Sequence, residues 1–209
     1  MEAATETRPE RKRRTRQAIL AAALDLVEQE SFASLSLRQV TRAVGIVPTA
    51  FYRHFTSLDE LGLALVDESF ASLREMIREA RRGRPELQGA IAASVALLVR
   101  HVHEHRSHFG FIARERFSGV PVVRDAIRHE LALFERELAT DLARLPNLNT
   151  WTSEDLRVMA NLIVNAMVST AEGIVSAPPE RPETEREIVR TAEKQLRLIV
   201  VGVANWRSH

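Results

Sequence analysis

Five basic residues stand close together near the start of the 209-residue chain: Arg11, Lys12, Arg13, Arg14 and Arg16. Such a cluster neutralises nucleic-acid phosphates and releases their counterions, although a solvated leader has the same composition. The net charge is only +1, but residues 1–56 hold nine Lys or Arg against six Asp or Glu, whereas residues 57–209 hold 20 against 22. The N-terminal part is therefore where we expect a polyanion to bind.

The segment LSLRQVTRAVGIVPTAFYRHF, residues 35–55, has the dimensions of a helix-turn-helix, with two short helices and a glycine-containing turn of about four residues between them. In this motif the first turn of the second helix meets base edges, which here means Pro48, Thr49 and Ala50. Thr49 can hydrogen-bond a base and offer its methyl group to thymine, while Ala50 offers only apolar contact. A plain amphipathic helical hairpin is the alternative that so short a pattern leaves open.

Other polar residues of the same segment are suited to phosphates. Tyr52 and His54 point away from the side of the second helix that carries Phe51 and Phe55, and Arg53 lies between them. We expect Tyr52 and His54 to contact the DNA backbone, and Arg53 to contact DNA close behind the base-reading turn. Three residues of the first helix lie at helical spacing and are expected to brace the adjoining backbone: Arg38, Thr41 and Arg42.

The elements that must position these residues are all helices, because glycine and proline are scarce and no stretch shows sustained alternation. The sequence predicts an all-α chain of nine helices, at about 15–29, 36–43, 48–55, 57–82, 85–106, 107–117, 122–144, 153–176 and 183–206. It also predicts three regions: a flexible basic arm at 1–14, a DNA-binding domain at 15–56, and an effector-binding and dimerisation domain at 57–209.

Local signals support the first boundaries. Ser36 followed by Gln39, and Ser57 followed by Glu60, are capping-box patterns that begin helices. Gly45 provides a C-terminal stop for the second helix. Pro48 suits the first position of the third helix because its missing amide hydrogen would be unpaired there.

The stretch GIVPTAFYRHFTSLDELGLAL resembles the signature of the TetR family of regulators, and the resemblance covers residues 15–68. It implies a nine-helix homodimer that binds a palindromic operator through its first three helices, usually as a repressor, and a small effector through the rest. Two positions depart from the family pattern: Val47 stands where many members have a serine N-cap, and Leu58 where many have a phosphate-binding lysine. Both departures add weight to the N-terminal arginines.

Two longer stretches, FASLSLRQVTRAVGIVPTAFYRHFTSLDELGLALVDES and ARERFSG, are similar to the FabR and DesT regulators of unsaturated fatty acid synthesis. The resemblance implies a long-chain acyl-CoA or acyl-carrier-protein thioester as the effector. Apolar residues suited to a pocket for its chain are Phe70, Leu98, Phe109, Ile112, Phe117, Met159, Ile163 and Met167. Ordinary core packing is the alternative for each of them. Arg114 and Arg116 are the expected partners of its phosphates, and an exposed, salt-bridged helix end is the alternative.

The last two predicted helices carry apolar seams that suit pairing with a second copy in a four-helix interface. The members of these seams are Ala166, Thr170, Ile188, Ala192, Leu196, Ile199 and Val203. A dimer explains how two recognition helices address half-sites about one DNA turn apart, or a multiple of it. In a monomer the same seams would be core.

Other functions are less favoured by the sequence. His101, His105 and His108 would share a face of one continuous helix, and such a face could bind the ion of a metal sensor. We expect that helix to break near Ser107, which would separate the third histidine from the other two. An efflux repressor that senses hydrophobic or cationic drugs is the alternative within regulation, although the single Tyr and two Trp argue mildly against it.

Several classes of protein are not predicted. The chain has no cysteine, and no Gly-rich phosphate loop, HExxH or GxSxG motif, so we expect neither an enzyme nor a cofactor. The start resembles no secretory signal, and the longest plainly apolar stretch, residues 198–206, is too short to span a bilayer. We therefore expect a cytoplasmic protein with no membrane partner.

Overall fold

The computed structural model describes residues 7–82 and 87–208, and in these two ranges it contains nine α-helices and no strand. The predicted all-α class is confirmed. The helices are α1 Arg8–Gln29, α2 Leu37–Val44, α3 Pro48–Phe51, α4 Leu58–Arg82, α5 Leu87–Glu104, α6 Arg106–Glu115, α7 Pro121–Leu142, α8 Ser153–Ser176 and α9 Pro182–Val203. A 3₁₀ turn at Phe32–Ser34 joins α1 to α2.

The first helix begins at Arg8, not near Thr15 as the sequence reading predicted. Thr7 is its N-cap: the Thr7 hydroxyl accepts a hydrogen bond from the Glu10 N–H, and the Glu10 carboxylate accepts one from the Thr7 N–H at 2.8 Å. Pro9 lies in the first turn, where its missing N–H costs nothing. The prediction of a flexible arm is therefore wrong for residues 8–14, and residues 1–6 lie outside the described ranges.

One continuous core joins the N-terminal helices to the rest of the chain. Ile19 and Val27 of α1 pack with Phe51 of α3 inside the first half, and the same core continues through Leu65 of α4 to Ile127 of α7. Helix α4 contacts α1 on one side and α5, α6 and α7 on the other. Helix α6 also contacts α1, so α4 and α6 together fix the position of the helix-turn-helix relative to the remaining helices.

Helix α8 is long and apolar enough to cross a membrane by length and composition, although the sequence reading found no such stretch. In the structure it packs against α5, α6, α7 and α9. Leu156 and Ala160 are buried in a small cluster with α7, and Ile174 is buried in the main core. Part of the apolar character of α8 therefore serves packing inside the chain, while Val158 and Leu162 remain exposed.

Candidate nucleic-acid interface and effector cavity

The turn between α2 and α3 follows the local rules that the sequence displays. Ser36 and Gln39 form the predicted capping box, and Gly45 ends α2 in the left-handed conformation with φ of 74°. Pro48 begins α3 as predicted, and Val47 makes no side-chain cap. The α-helical part of α3 ends at Phe51, and turns continue to residue 54, so this helix is shorter than predicted.

The predicted base-reading and core faces of α3 are separate in the structure. Pro48 and Thr49 are exposed, and Ala50 is half-buried beside them. Tyr52 and Arg53 are exposed as well, whereas the rings of Phe51 and Phe55 are buried and pack 5.6 Å apart. The two phenyl rings hold the short helix on the core and leave its polar side chains toward solvent.

Thr41 does not join Arg38 and Arg42 on the exposed side of α2. It is buried, and its hydroxyl donates to the backbone carbonyl of Leu37 at 2.9 Å. The expectation that Thr41 contacts DNA is therefore wrong, because its side chain faces the core and its single proton is engaged within the helix. Arg38 and Arg42 remain exposed four residues apart, on one face.

The N-terminal turns of α1 bring their basic side chains to α3. The Arg16 guanidinium carbon lies 4.8 Å from the centre of the Phe55 ring. Burial lowers the pKa of His54, whose Nδ1 is buried without a hydrogen-bond partner in the described structure. Three nearby cations lower the pKa of His54 further: Lys12, Arg16 and Arg53. Residues from two separate parts of the sequence thus form one positive surface.

The remaining members of the basic cluster, Arg11, Arg13 and Arg14, are exposed on the same helix. Leu58 is half-buried against the core and provides no cation at the start of α4. There the Glu60 carboxylate accepts hydrogen bonds from the Thr56 hydroxyl and N–H, each at 2.6 Å, and these bonds lower its pKa. Helix α1 therefore supplies positive charge that the start of α4 lacks.

A cavity of about 490 Å³ lies among α4 to α9. Five residues predicted for a ligand pocket line it: Leu98, Phe109, Ile112, Ile163 and Met167. Residues of α4 and α7 that line the cavity were not predicted from the sequence; they include Leu73, Met76, Leu131 and Phe134. These side chains carry an ordinary amphipathic pattern, and only the packing of separate helices shows that they surround a space.

Other predicted pocket residues lie elsewhere. Phe70 is fully buried and packs against Phe134 on the core side, with the ring centres 5.5 Å apart. Met159 belongs to the small cluster between α7 and α8. Phe117 is 75% exposed, and its ring lies beneath the Arg116 guanidinium. None of these three side chains lines the cavity, and neither does Arg114, which is exposed.

The polar groups on the cavity wall are mainly acidic. Glu137 and Asp141 of α7 and Glu172 of α8 line the cavity, together with Ser94 of α5. Arg116 does not line it, but its guanidinium binds the Glu172 carboxylate at 2.6 Å and so lies at its margin. The wall thus combines a wide apolar surface with three carboxylates and one nearby guanidinium.

The predicted dimer seams point into the chain's own core. Thr170, Ala192 and Leu196 are buried. Four more members are half-buried and turned toward the same interior: Ala166, Ile188, Ile199 and Val203. The residue assignment is therefore wrong for the three buried members. The opposite faces of these helices expose apolar side chains instead, namely Val158, Leu162, Leu198 and Val201.

The helix carrying the histidines breaks at His105, two residues earlier than expected. His108 is thereby turned toward α4, where its Nδ1 lies 3.1 Å from the Ser69 hydroxyl. His101 and His105 stay together, and Glu104 takes the third place beside them. The expected break is confirmed, and the three histidines do not share the face of one continuous helix.

Comparison with known families identifies both halves of the chain. Residues 19–65 match the bacterial regulatory proteins of the tetR family, and residues 87–202 match the tetracycline-repressor-like C-terminal domain. The chain belongs to the TetR family. TetR regulators are soluble DNA-binding proteins that bind operator DNA and small-molecule effectors, typically as dimers.

Solved structures share the TetR fold of this chain. A transcriptional regulator from Rhodococcus sp. Rha1 is 19% identical, with a TM-score of 0.67 over 90% of this chain and 96% of its own. The fatty acid degradation regulator FadR from Bacillus halodurans is 11% identical, with a TM-score of 0.68 over 93% and 97%. FadR from Bacillus subtilis, solved in complex with stearoyl-CoA, is 12% identical, with a TM-score of 0.66 over 89% and 98%.

Proposed function

We propose that this TetR regulator is a dimeric repressor that binds a palindromic operator through α2 and α3 and senses an effector with a long apolar body. The observation that carries the proposal is the apolar cavity of about 490 Å³ behind the DNA-binding helices. That volume is within the range of small-molecule sites, which commonly combine apolar walls with a few polar groups.

We assign the operator contacts by exposure and charge. Pro48, Thr49 and Ala50 meet base edges, since they form the first turn of α3. Phosphate contacts come from residues on α1, on α2 and in the turn that follows α3: Arg11, Lys12, Arg13, Arg14, Arg16, Arg38, Arg42, Tyr52, Arg53 and His54. Ordered placement of the α1 cations on a helix lets them follow the phosphate backbone beside α3.

The dimer forms, in this proposal, through the exposed apolar face of α8 and α9. Leu198 is 71% exposed and Val201 is 58% exposed on α9, and Val158 and Leu162 are exposed on α8. A contiguous apolar face of two adjacent helices is suited to cover the same face of a second copy. This face replaces the buried seams that the sequence suggested.

The effector that we favour is a long-chain acyl thioester of lipid metabolism. The wide apolar wall suits an acyl chain, and Arg116 at its margin provides a guanidinium that a phosphate of the carrier group can attract away from Glu172. The shared fold with a FadR that binds stearoyl-CoA is consistent with this choice.

An amphipathic cation is the second candidate, and the acidic groups of the wall favour it. Glu137 and Asp141 lie on the α7 side of the cavity, and Glu172 lies on α8. Carboxylates beside an apolar space attract an ammonium or phosphonium group and repel phosphates. An efflux repressor that senses hydrophobic or cationic drugs would use such an apolar wall with carboxylates beside it.

Thermal unfolding of the full chain with three probes separates the candidates: stearoyl-CoA, coenzyme A without an acyl chain, and tetraphenylphosphonium. A ligand that binds only the folded state stabilises it, by about 2.7 kcal/mol at a concentration 100 times its Kd. We expect stabilisation by stearoyl-CoA and none by coenzyme A alone. Arg116→Gln should weaken the response to stearoyl-CoA, whereas Glu137→Gln, which removes a negative charge from the cavity wall, should not weaken it.

The regulatory step is tested on a duplex that the chain selects from a randomised pool. Stearoyl-CoA should change the affinity of wild-type protein for that duplex, and coenzyme A should not. Stabilisation by tetraphenylphosphonium that Glu137→Gln abolishes would overturn the acyl thioester in favour of the cation. Failure to select any duplex would contradict the operator-binding part of the proposal.

A further inference from the structure

The junction between α5 and α6 gathers metal-ligating side chains. Helix α5 ends at Glu104 and α6 begins at Arg106, so the single residue between them is His105, with φ of −129° and ψ of 38°. One nitrogen or oxygen from each of His101, Glu104 and His105 lies within 4.8 Å of the other two. The two imidazole rings are nearly parallel, at 24°, with their centres 6.0 Å apart.

His101 is held as a metal-binding histidine would be. Its Nε2 lies 3.2 Å from the Glu79 carboxylate, which Arg100 also binds at 2.5 Å. Histidine ligands of metals commonly donate their other ring N–H to a carboxylate, which fixes the tautomer and the ring orientation. With Nε2 bonded to Glu79, Nδ1 is the nitrogen left with a lone pair.

That Nδ1 atom has no hydrogen-bond partner in the described structure, and His101 is only 4% exposed. A buried polar atom without a partner destabilises the folded chain, so its presence needs an explanation. A cation bound to Nδ1 satisfies its lone pair, whereas the side chains packed around His101 provide no hydrogen-bond donor to it in the described structure.

We propose that His101, Glu104 and His105 bind one divalent transition-metal ion of the Zn²⁺ class, with water completing the coordination. Two imidazoles and one carboxylate suit Zn²⁺, Co²⁺ or Ni²⁺, whereas Mg²⁺ and Ca²⁺ prefer oxygen ligands only. Ligand bonds of about 2.0–2.2 Å place the donor atoms of one ion well inside the 4.8 Å within which those of the cluster lie. Glu104 is exposed and His105 half-buried, so both side chains have room to close on the ion.

Such an ion joins the last turn of α5 to the residue that precedes α6. Helix α6 lines the effector cavity through Phe109 and Ile112, and its Phe111 ring packs against Phe32 of the DNA-binding half, with the ring centres 6.3 Å apart. The metal site therefore fixes the start of the helix that lies between cavity and DNA-binding domain.

The test is isothermal titration of untagged, full-length chain with ZnCl₂ after dialysis against a chelator. We expect one Zn²⁺ per chain, with at least tenfold weaker binding in Glu104→Gln and in His105→Gln. Glu79→Ala should weaken binding by about 10–100-fold, because it removes the carboxylate that orients His101. His103→Gln is the matched control, since His103 lies on the same helical turn, outside the cluster, and contacts Glu185 at 3.1 Å.

Circular dichroism of each metal-free variant shows whether it folds as the wild type does. Glu104→Gln changes an exposed side chain and removes a surface ion pair with Arg100, whose atoms are 3.8 Å apart. Visible absorption of the Co²⁺-loaded protein gives a second measurement, which His105→Gln should alter and His103→Gln should not. The proposal is overturned if wild-type chain binds no Zn²⁺ saturably, or if either Glu104→Gln or His105→Gln binds it as tightly as His103→Gln does.

Discussion

The Glu115 carboxylate accepts a hydrogen bond of 2.9 Å from the backbone N–H of Phe32. Glu115 is the last residue of α6, and Phe32 begins the 3₁₀ turn between α1 and α2. Both residues are buried, and the second carboxylate oxygen of Glu115 has no partner in the described structure. Since α6 also lines the cavity, this bond joins a wall of the cavity directly to the DNA-binding half.

Glu115→Ala should therefore lower stability and weaken the coupling between cavity and operator. Removal of the carboxylate leaves the Phe32 N–H buried without a partner, which costs about 1–3 kcal/mol. Urea unfolding measures that loss, and titration of the selected duplex with and without effector measures the coupling. Glu115→Gln keeps an acceptor oxygen and should retain most of both properties. Equal stability of the alanine variant and the wild type would contradict this role.

The cations of α1 are expected to contact phosphates. Lys12→Ala should weaken binding to all duplexes alike and lower the slope of log affinity against log salt by about one. Arg190→Ala is the control, because Arg190 is exposed on α9, far along the chain from the helix-turn-helix, and its loss should leave the slope unchanged. An unchanged slope for Lys12→Ala would show that Lys12 contacts no phosphate and would contradict this role of α1.

The local signals of the sequence predicted the helix-turn-helix well. Ser36, Gly45 and Pro48 each affect the backbone only within a few residues of their own positions. Their pattern therefore predicts the turn even when the rest of the fold is unknown. The start of α1 had an equally local signal, because Thr7 and Glu10 have capping-box spacing. The density of charge that follows them favoured an unstructured arm, and that interpretation was wrong.

Tertiary features were not available from periodicity. Helix α9 carries apolar residues on more than one face, so Leu196 and Leu198 are equally plausible members of a seam in the sequence. Packing buries Leu196 in the chain and leaves Leu198 71% exposed. The cavity depends likewise on how α4 and α7 approach each other, as Leu73 and Leu131 on its wall illustrate.

Leu198→Glu should convert the proposed α8–α9 dimer to a monomer. A carboxylate on each copy at the centre of an apolar interface is desolvated and faces a like charge. Sedimentation equilibrium should then show the chain mass of 23.5 kDa instead of twice that value, and operator affinity should fall. Leu63→Glu, an equal change at a less exposed apolar position of α4, should leave the mass of the dimer intact. A dimeric Leu198→Glu variant would place the interface elsewhere.

His54 should make the protein less stable in mild acid. Burial and the charges of neighbouring cations hold its folded-state pKa below the ordinary value of 6.5. The unfolded chain therefore binds more protons at this residue, so its stabilising effect is complete above pH 6.5 and is lost as the pH falls below that value. His54→Gln should flatten the fall in unfolding midpoint between pH 7.5 and about 5.5.

The control for that titration is His129→Gln, which changes an exposed imidazole of α7 and should preserve the wild-type pH profile. Identical profiles for wild type and His54→Gln would show that the acid sensitivity arises at other groups.

Gly62 lies where α4 meets both the 3₁₀ turn and α7. A Cβ atom at this position would stand 2.6 Å from a methyl carbon of Val123 and 2.7 Å from the Phe32 ring. Gly62→Ala should therefore destabilise the chain by about 1–3 kcal/mol through overpacking, even though alanine favours helix by up to about 1 kcal/mol. Gly89→Ala is the matched control: its added Cβ meets nothing within 4 Å on α5, and it should stabilise the folded chain.

Urea unfolding of both variants, and of Gly62→Ala combined with Val123→Ala, tests whether the contact with Val123 causes the loss of stability. Recovery of stability in the double variant would identify the contact with Val123 as the source, and an unaltered or increased stability of Gly62→Ala alone would contradict the tight packing at this junction.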